Sequence, residues 1–352
     1  MRSAVPSLSD PRPNRPASRD HMRGEQTSPP AGDTTNGGLD GSAEDSPQAE
    51  RDLPPAFTRR RVLAFGLMAA AGSVFAGLEL VRHGVLPGHQ LLDEIDGACS
   101  VSGAAETFFP VGPSVSGQFF SRARNRSVGY TIAYPPGHHS PHTLPLVVVL
   151  HGFGGNHVEA LSGITLAQAL AMKTNGHRLA PMALVAADGG GGYWNTHPGD
   201  DPMAMLVDEL IPMCQRAGLG RSPRQIGVLG ISMGGYGALL LAEKHPHLIR
   251  AVAAISPAIW TTYAEAHAAN AGAYASPTDF AEDDVVTHTS ELLTTPVRIA
   301  SGVDDPFHPG VLTLIKALPA SATVDVSKGC HDGAFFTSQQ PASLSFLARH
   351  LT

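Results

Sequence analysis

A serine stands among small residues at Gly230-Ile231-Ser232-Met233-Gly234-Gly235-Tyr236-Gly237, directly after the apolar run Ile226 to Leu229 and before a helical pattern from Ala238 to His245. Gly-x-Ser-x-Gly between a strand and a helix predicts a nucleophile elbow, in which the serine takes a strained turn and the glycines let backbones approach closely. A serine hydroxyl is a weak nucleophile until a neighbouring base takes its proton. His331, in Lys328-Gly329-Cys330-His331-Asp332-Gly333, follows a β-rich run ending near Val326 and is the expected base; His308 is its rival. An acid must then fix the imidazole tautomer. Ser301-Gly302-Val303-Asp304-Asp305-Pro306-Phe307 offers two adjacent aspartates that point in different directions. The spacing Gly-x-x-Asp favours Asp305, with Asp304 as the alternative, and the unused one becomes a turn residue.

Chemistry at a carbonyl also needs donors for the developing alkoxide. His151-Gly152-Phe153-Gly154-Gly155 follows the run Leu146 to Leu150, and the backbone N–H groups of Phe153 and Met233 are the expected pair. Losing one such donor raises a barrier by roughly 3–4 kcal/mol. His151 itself reads as structural. Substrate contacts are expected from Tyr193 and Trp194, after Gly189 to Gly192, and from Trp260. Asp200 or Asp201 either bonds a substrate hydroxyl or caps a helix ahead of Pro202. His138, His139 and His142 lie in a Pro-rich stretch without carboxylates, so no metal is expected there.

These residues need a scaffold that gathers them. From roughly Gly117 onward β-rich runs alternate with helical patterns, which predicts a mainly parallel sheet with helices on both faces. Candidate strands are 128–134, 144–150, 182–187, 225–230, 251–255, 297–301 and 322–326, several of them unbroken apolar runs as in strands covered on both faces. Met203, Leu206, Val207, Leu210, Ile211 and Cys214 recur with helical periodicity, which makes Cys214 a core residue. From Ala258 to about Leu293 the alternation gives way to an Ala-rich stretch. It reads as a small helical cap over the carboxyl edge of the sheet, where open α/β sheets bind their substrates.

Of the 352 residues, 42% are hydrophobic and 16% charged, enough for one large core. A net charge of −7 lacks the basic face that nucleic acid requires, so no nucleic-acid partner is expected. Cys99, Cys214 and Cys330 are too few and too scattered for a disulfide scaffold or a zinc site. Residues 1–56, rich in Pro, Ser, Gly, Asp and Arg, read as a disordered leader. In 57–80, Arg59-Arg60-Arg61 precedes an uncharged apolar run over 62–78. This reads as a twin-arginine export signal or a membrane anchor, and it carries the rest out of the cytoplasm, secreted or membrane-associated through 62–78. Residues 81–114 then form a linker and 115–352 the catalytic domain.

With Ser232, Asp305, His331 and the His151-Gly152 loop in place, residues 115–352 resemble the Putative esterase family of α/β-hydrolases. That family takes in esterase D (S-formylglutathione hydrolase), feruloyl esterases and the antigen 85 mycolyltransferases. The elbow Gly-Ile-Ser-Met-Gly-Gly-Tyr-Gly and Gly-x-x-Asp followed by Pro-Phe are similar to the family's. The resemblance implies an α/β-hydrolase fold with the chain order Ser, Asp, His. It also implies hydrolysis of a small-molecule or lipid carboxylic ester through an acyl-enzyme, with no metal or organic cofactor. The export signal departs from the thioesterase branch, whose glutathione conjugate is cytosolic. Gly-Gly after Met233, where the mycolyltransferases have Ser-Gly, leaves acyl transfer to an envelope glycolipid as the alternative. A surface binding protein without turnover is the non-enzymatic alternative, but it needs a broken triad position and all three are filled.

Overall fold

The computed structural model describes residues 111–138, 144–174, 179–221 and 226–351. The leader 1–56, the segment 57–80, the linker up to residue 110, Cys99, His139 and His142 lie outside the described residues. Among the described residues, no helix is long and apolar enough to cross a membrane.

Strands β1 (Ser114–Ser121) and β2 (Arg126–Ala133) form an antiparallel hairpin, and β2 pairs antiparallel with β4 (Ala183–Ala187). Beyond it β3 (Leu146–Leu150), β5 (Ile226–Ile231), β6 (Ala251–Ile255), β7 (Val297–Gly302) and β8 (Thr323–Ser327) continue in parallel. The order across the sheet is β1-β2-β4-β3-β5-β6-β7-β8. Every residue of β3, β4 and β6 is buried. Strand side chains alternate between faces, so Val148, Val185 and Val228 join one apolar cluster while Val147, Leu184 and Leu229 join another. Each such side chain contributes about 1.5–3 kcal/mol on burial.

The second cluster is closed by α1 (His157–Thr174) and α8 (Gly333–Leu351), which pack on each other and supply Ile164, Leu344 and Leu347. On the opposite face α2 (Pro202–Ala204) passes through a π-helical turn (Met205–Leu210) into α3 (Ile211–Arg216). Pro212 has no N–H to offer, and the Ile211 N–H bonds Leu206 five residues back, which is the wider π register. This helix buries Leu206, Leu210 and Cys214, as the periodicity predicts. Helices α4 (Met233–Lys244) and α7 (His308–Ala317) complete that face. The expected cap is present between β6 and β7 as α5 (Tyr263–Ala269), α6 (Pro277–Glu282) and a 3-10 turn (Thr289–Leu292).

Candidate active site

Ser232 sits between β5 and α4 with φ 57° and ψ −122°, a conformation that costs a non-glycine residue about 1–3 kcal/mol. The turn is held by the Ser232 N–H, which donates to Ile255 O at 3.0 Å. A Cβ at Gly230 would stand 1.8 Å from Gly234 O, and one at Gly234 would stand 2.0 Å from Leu150 O. The elbow therefore admits only glycine at both places.

The structure brings Ser232, His331 and Asp305 together. A carboxylate can only accept, so His331 Nδ1–H donates to Asp305 Oδ2 at 2.9 Å. That tautomer leaves Nε2 as an acceptor 2.8 Å from Ser232 Oγ. The other Asp305 oxygen accepts the Phe307 N–H at 2.8 Å, and the residue is buried at 3% exposure. Asp304 takes the turn position, its N–H donating to Gly329 O at 3.0 Å. Val303 N–H likewise donates to Ser327 O at 2.9 Å, and Gly302 lies so close to Gly329 O that a Cβ would stand 2.0 Å away. The loops carrying acid and base are thus laced backbone to backbone. His308 belongs to the acid loop, beside Ser301 at 3.3 Å.

Gly152 lies against the serine, a Cβ there standing 3.4 Å from Ser232 Cβ. Among the described residues, neither the Phe153 nor the Met233 N–H donates to another protein group. His151 underpins this loop: its Nδ1–H donates to Gly152 O at 2.8 Å, while Nε2 accepts the Gly189 N–H at 2.9 Å. With both nitrogens committed and burial pushing its pKa down, the ring stays neutral and structural.

Trp194 departs from expectation. It is fully buried, its Nε1–H donates to His151 O at 3.3 Å, and it does not border the cavity at Ser232. Cβ atoms at Gly189 and Gly237 would stand 2.2 and 2.6 Å from its indole, so those glycines are the clue that a large ring occupies the core there. Asp200 and Asp201 also lie away from the cavity. Asp201 caps α2 by accepting the Ala204 N–H at 2.8 Å. Asp200 accepts from Arg124 Nε at 2.6 Å and pairs with Arg126 at 3.0 Å. Burial opposes its ionisation, but the guanidiniums outweigh that and hold its pKa low.

The cavity over Ser232 measures about 870 Å³. Its cap side is aromatic: Tyr193 and Trp260 border it, joined by a 2.7 Å hydrogen bond from Trp260 Nε1 to the Tyr193 hydroxyl, which burial pushes up to about 12. Phe307 meets Trp260 edge-on at 4.8 Å. Phe307 and Phe336 each lie 5.0 Å from the His331 ring. Sequence reasoning quoted Phe307 only within the segment of Asp305 and passed over Phe336, although each stands within five residues of Asp305 or His331. Helices α1 and α8 also line the cavity, with Glu159, Ala160, Phe336, Thr337 and Gln340.

The family model described as Putative esterase matches residues 121–305, more than half of the chain; His331 lies past its end. At the level of sequence alone, no curated protein matches the chain. Among solved structures, a ferulic acid esterase aligns with TM-score 0.59 and 20% identity over 69% of this chain and 100% of its own. Serine hydrolase FphF of Staphylococcus aureus, described as fluorophosphonate-binding, aligns at 0.56 and 14% over 68% and 99%. An S-formylglutathione hydrolase of Agrobacterium tumefaciens aligns at 0.55 and 16% over 70% and 98%.

Proposed function

Because the chain belongs to the Putative esterase family of α/β-hydrolases and is thereby a carboxylic ester hydrolase, we propose that it is an exported serine esterase working through an acyl-enzyme on Ser232. Ser232 Oγ attacks the ester carbonyl as His331 Nε2 takes its proton, and the alkoxide is met by the Phe153 and Met233 N–H groups. His331 then passes the proton to the leaving alcohol. Water repeats the sequence on the acyl-enzyme, while Asp305 holds the tautomer and stabilises the imidazolium.

The observation that carries this reading is the unbroken relay Asp305–His331–Ser232 opening into a cavity with aromatic walls. A fluorophosphonate probe should label the wild type and not Ser232→Ala, with ester turnover falling by about 10⁴–10⁶. Equal labelling of the two refutes the assignment. Export is supported by Arg59-Arg60-Arg61 ahead of the uncharged run 62–78. Replacing Arg59, Arg60 and Arg61 by Lys should leave the protein in the cytoplasmic fraction; unchanged export removes the twin-arginine reading.

A further inference from the structure

Two phenyl rings pack on the imidazole of His331. The ring of Phe307 lies 5.0 Å from it at 57°, and the ring of Phe336 lies 5.0 Å from it at 86°. Ring pairs at such separations prefer tilted and edge-on arrangements, so these contacts select an orientation as well as a distance. Each phenyl is itself braced. Phe307 donates its N–H to Asp305 Oδ1 at 2.8 Å and meets Trp260 edge-on at 4.8 Å. Trp260 is tied in turn to Tyr193 by the 2.7 Å bond from its Nε1–H to the hydroxyl. Phe336 stands in the first turn of α8, where its N–H donates to Asp332 O at 3.0 Å and the Phe335 N–H donates to Asp332 Oδ1 at 2.8 Å. The two rings therefore reach His331 from separate segments, the acid loop and the helix that follows the base.

The need for such bracing changes during the reaction. Before attack both imidazole nitrogens are committed, Nδ1–H to Asp305 Oδ2 at 2.9 Å and Nε2 to the Ser232 hydroxyl at 2.8 Å. Two pinned corners are enough to aim the ring. Once Ser232 is acylated, its proton has left on the alcohol and Oγ is bonded to the acyl carbon. Oγ then has nothing to donate, and Nε2 of the neutral ring loses that partner. The bond at Nδ1 remains, but a ring anchored at one corner can tilt, and a tilt swings Nε2. Phenyl rings resist the tilt without competing for either nitrogen, since they neither donate nor accept there.

Resting on the esterase reading above, we propose that Phe307 and Phe336 are positioning residues for deacylation: they keep the His331 ring aimed while Ser232 carries the acyl group. Water then attacks the acyl carbon as Nε2 takes one of its protons. The bond from the acyl carbon to Oγ breaks, Nε2 returns the proton to Oγ, and the carboxylic acid leaves. Acylation starts with the hydroxyl contact intact and depends on the two rings less.

Single-turnover kinetics with the enzyme in excess over a p-nitrophenyl ester reads both halves. Release of p-nitrophenolate follows acylation, and the intact mass of quenched samples follows the acyl-enzyme. Phe307→Leu and Phe336→Leu remove the rings but keep apolar side chains, and both positions are half-buried rather than sealed in the core. Each should slow deacylation about tenfold more than acylation, since a misplacement of about 1 Å costs up to about a hundredfold. The peak fraction of acyl-enzyme should rise accordingly. Phe307→Tyr and Phe336→Tyr keep the rings and should return the peak to the wild-type level. A merely structural defect, or a lost substrate contact, slows acylation and does not raise the peak. A peak no higher than wild type in the Leu variants, or equally high in the Tyr variants, overturns the proposal. Ser232→Ala is run in parallel: loss of both adduct and turnover leaves the esterase reading standing whatever the phenylalanines do, whereas continued hydrolysis removes that reading itself.

Discussion

Asp305 and Asp304 are chemically identical and adjacent, so what separates them is where the backbone sends each carboxylate. One reaches His331 Nδ1 and the Phe307 N–H, while the other residue spends its N–H on Gly329 O in a turn. Asp305→Asn should lower kcat by about 10³–10⁴, because an amide can offer its N–H to Nδ1 and stabilise the wrong tautomer. Asp304→Asn should stay within about threefold of wild type. Steady-state kinetics on a p-nitrophenyl ester separates the two, and equal losses would mean that the acid is misassigned. At this scale local context alone picks out Ser232 and His331, and the fold brings Ser232 Oγ to 2.8 Å from His331 Nε2. It was silent where packing decides. Trp194 and Tyr193 are neighbours on one loop, yet one fills the core and the other borders the cavity.

Among the elements, the strands were legible wherever both faces are covered, because burial on both sides writes an unbroken apolar run. β1 was not, since it is an edge strand paired only with β2, and its residues Ser114 to Ser121 mix polar and apolar types with Val115 and Phe120 exposed. The π turn was equally hidden, its cause being a single proline. Helix α4 carries a different cost, Glu243, which is 5% exposed with both carboxylate oxygens unpartnered. Burial, then the charges of Asp284 and Glu291, push its pKa from 4.5 up to about 9. Below about pH 4.5 both folded and unfolded chains hold the proton and nothing is lost. As pH rises toward 9 only the unfolded chain releases it, so stability falls across that window. Glu243→Gln cannot ionise. Its melting temperature should vary less between pH 5 and pH 8 and should exceed the wild type at pH 8 by about 3–6 °C, for about 1–2 kcal/mol recovered. A melting curve with unchanged pH dependence would show that the carboxyl is not neutral in the fold.

Across the whole molecule, the two tryptophans report on different things. Trp194 is sealed beneath the His151 loop, whereas Trp260 stands half-buried at the cavity. Trp260→Phe should therefore keep an emission that follows unfolding and ignores ligands, while Trp194→Phe should keep one that shifts when a substrate analogue binds. Ligand-insensitive emission from Trp260 would contradict the placement of the cap. The Val303-Asp304 loop is stitched to Ser327 and Gly329, the turn of Ser232 is tied to β6 through Ile255 O, and β6 is tied to β7 by the Ser256 N–H on Ala300 O at 2.7 Å. Hydroxyl, imidazole and carboxylate therefore all hang from one continuous ladder of strands, β5 to β8, and a displacement of any of these strand ends is felt at both contacts of the relay.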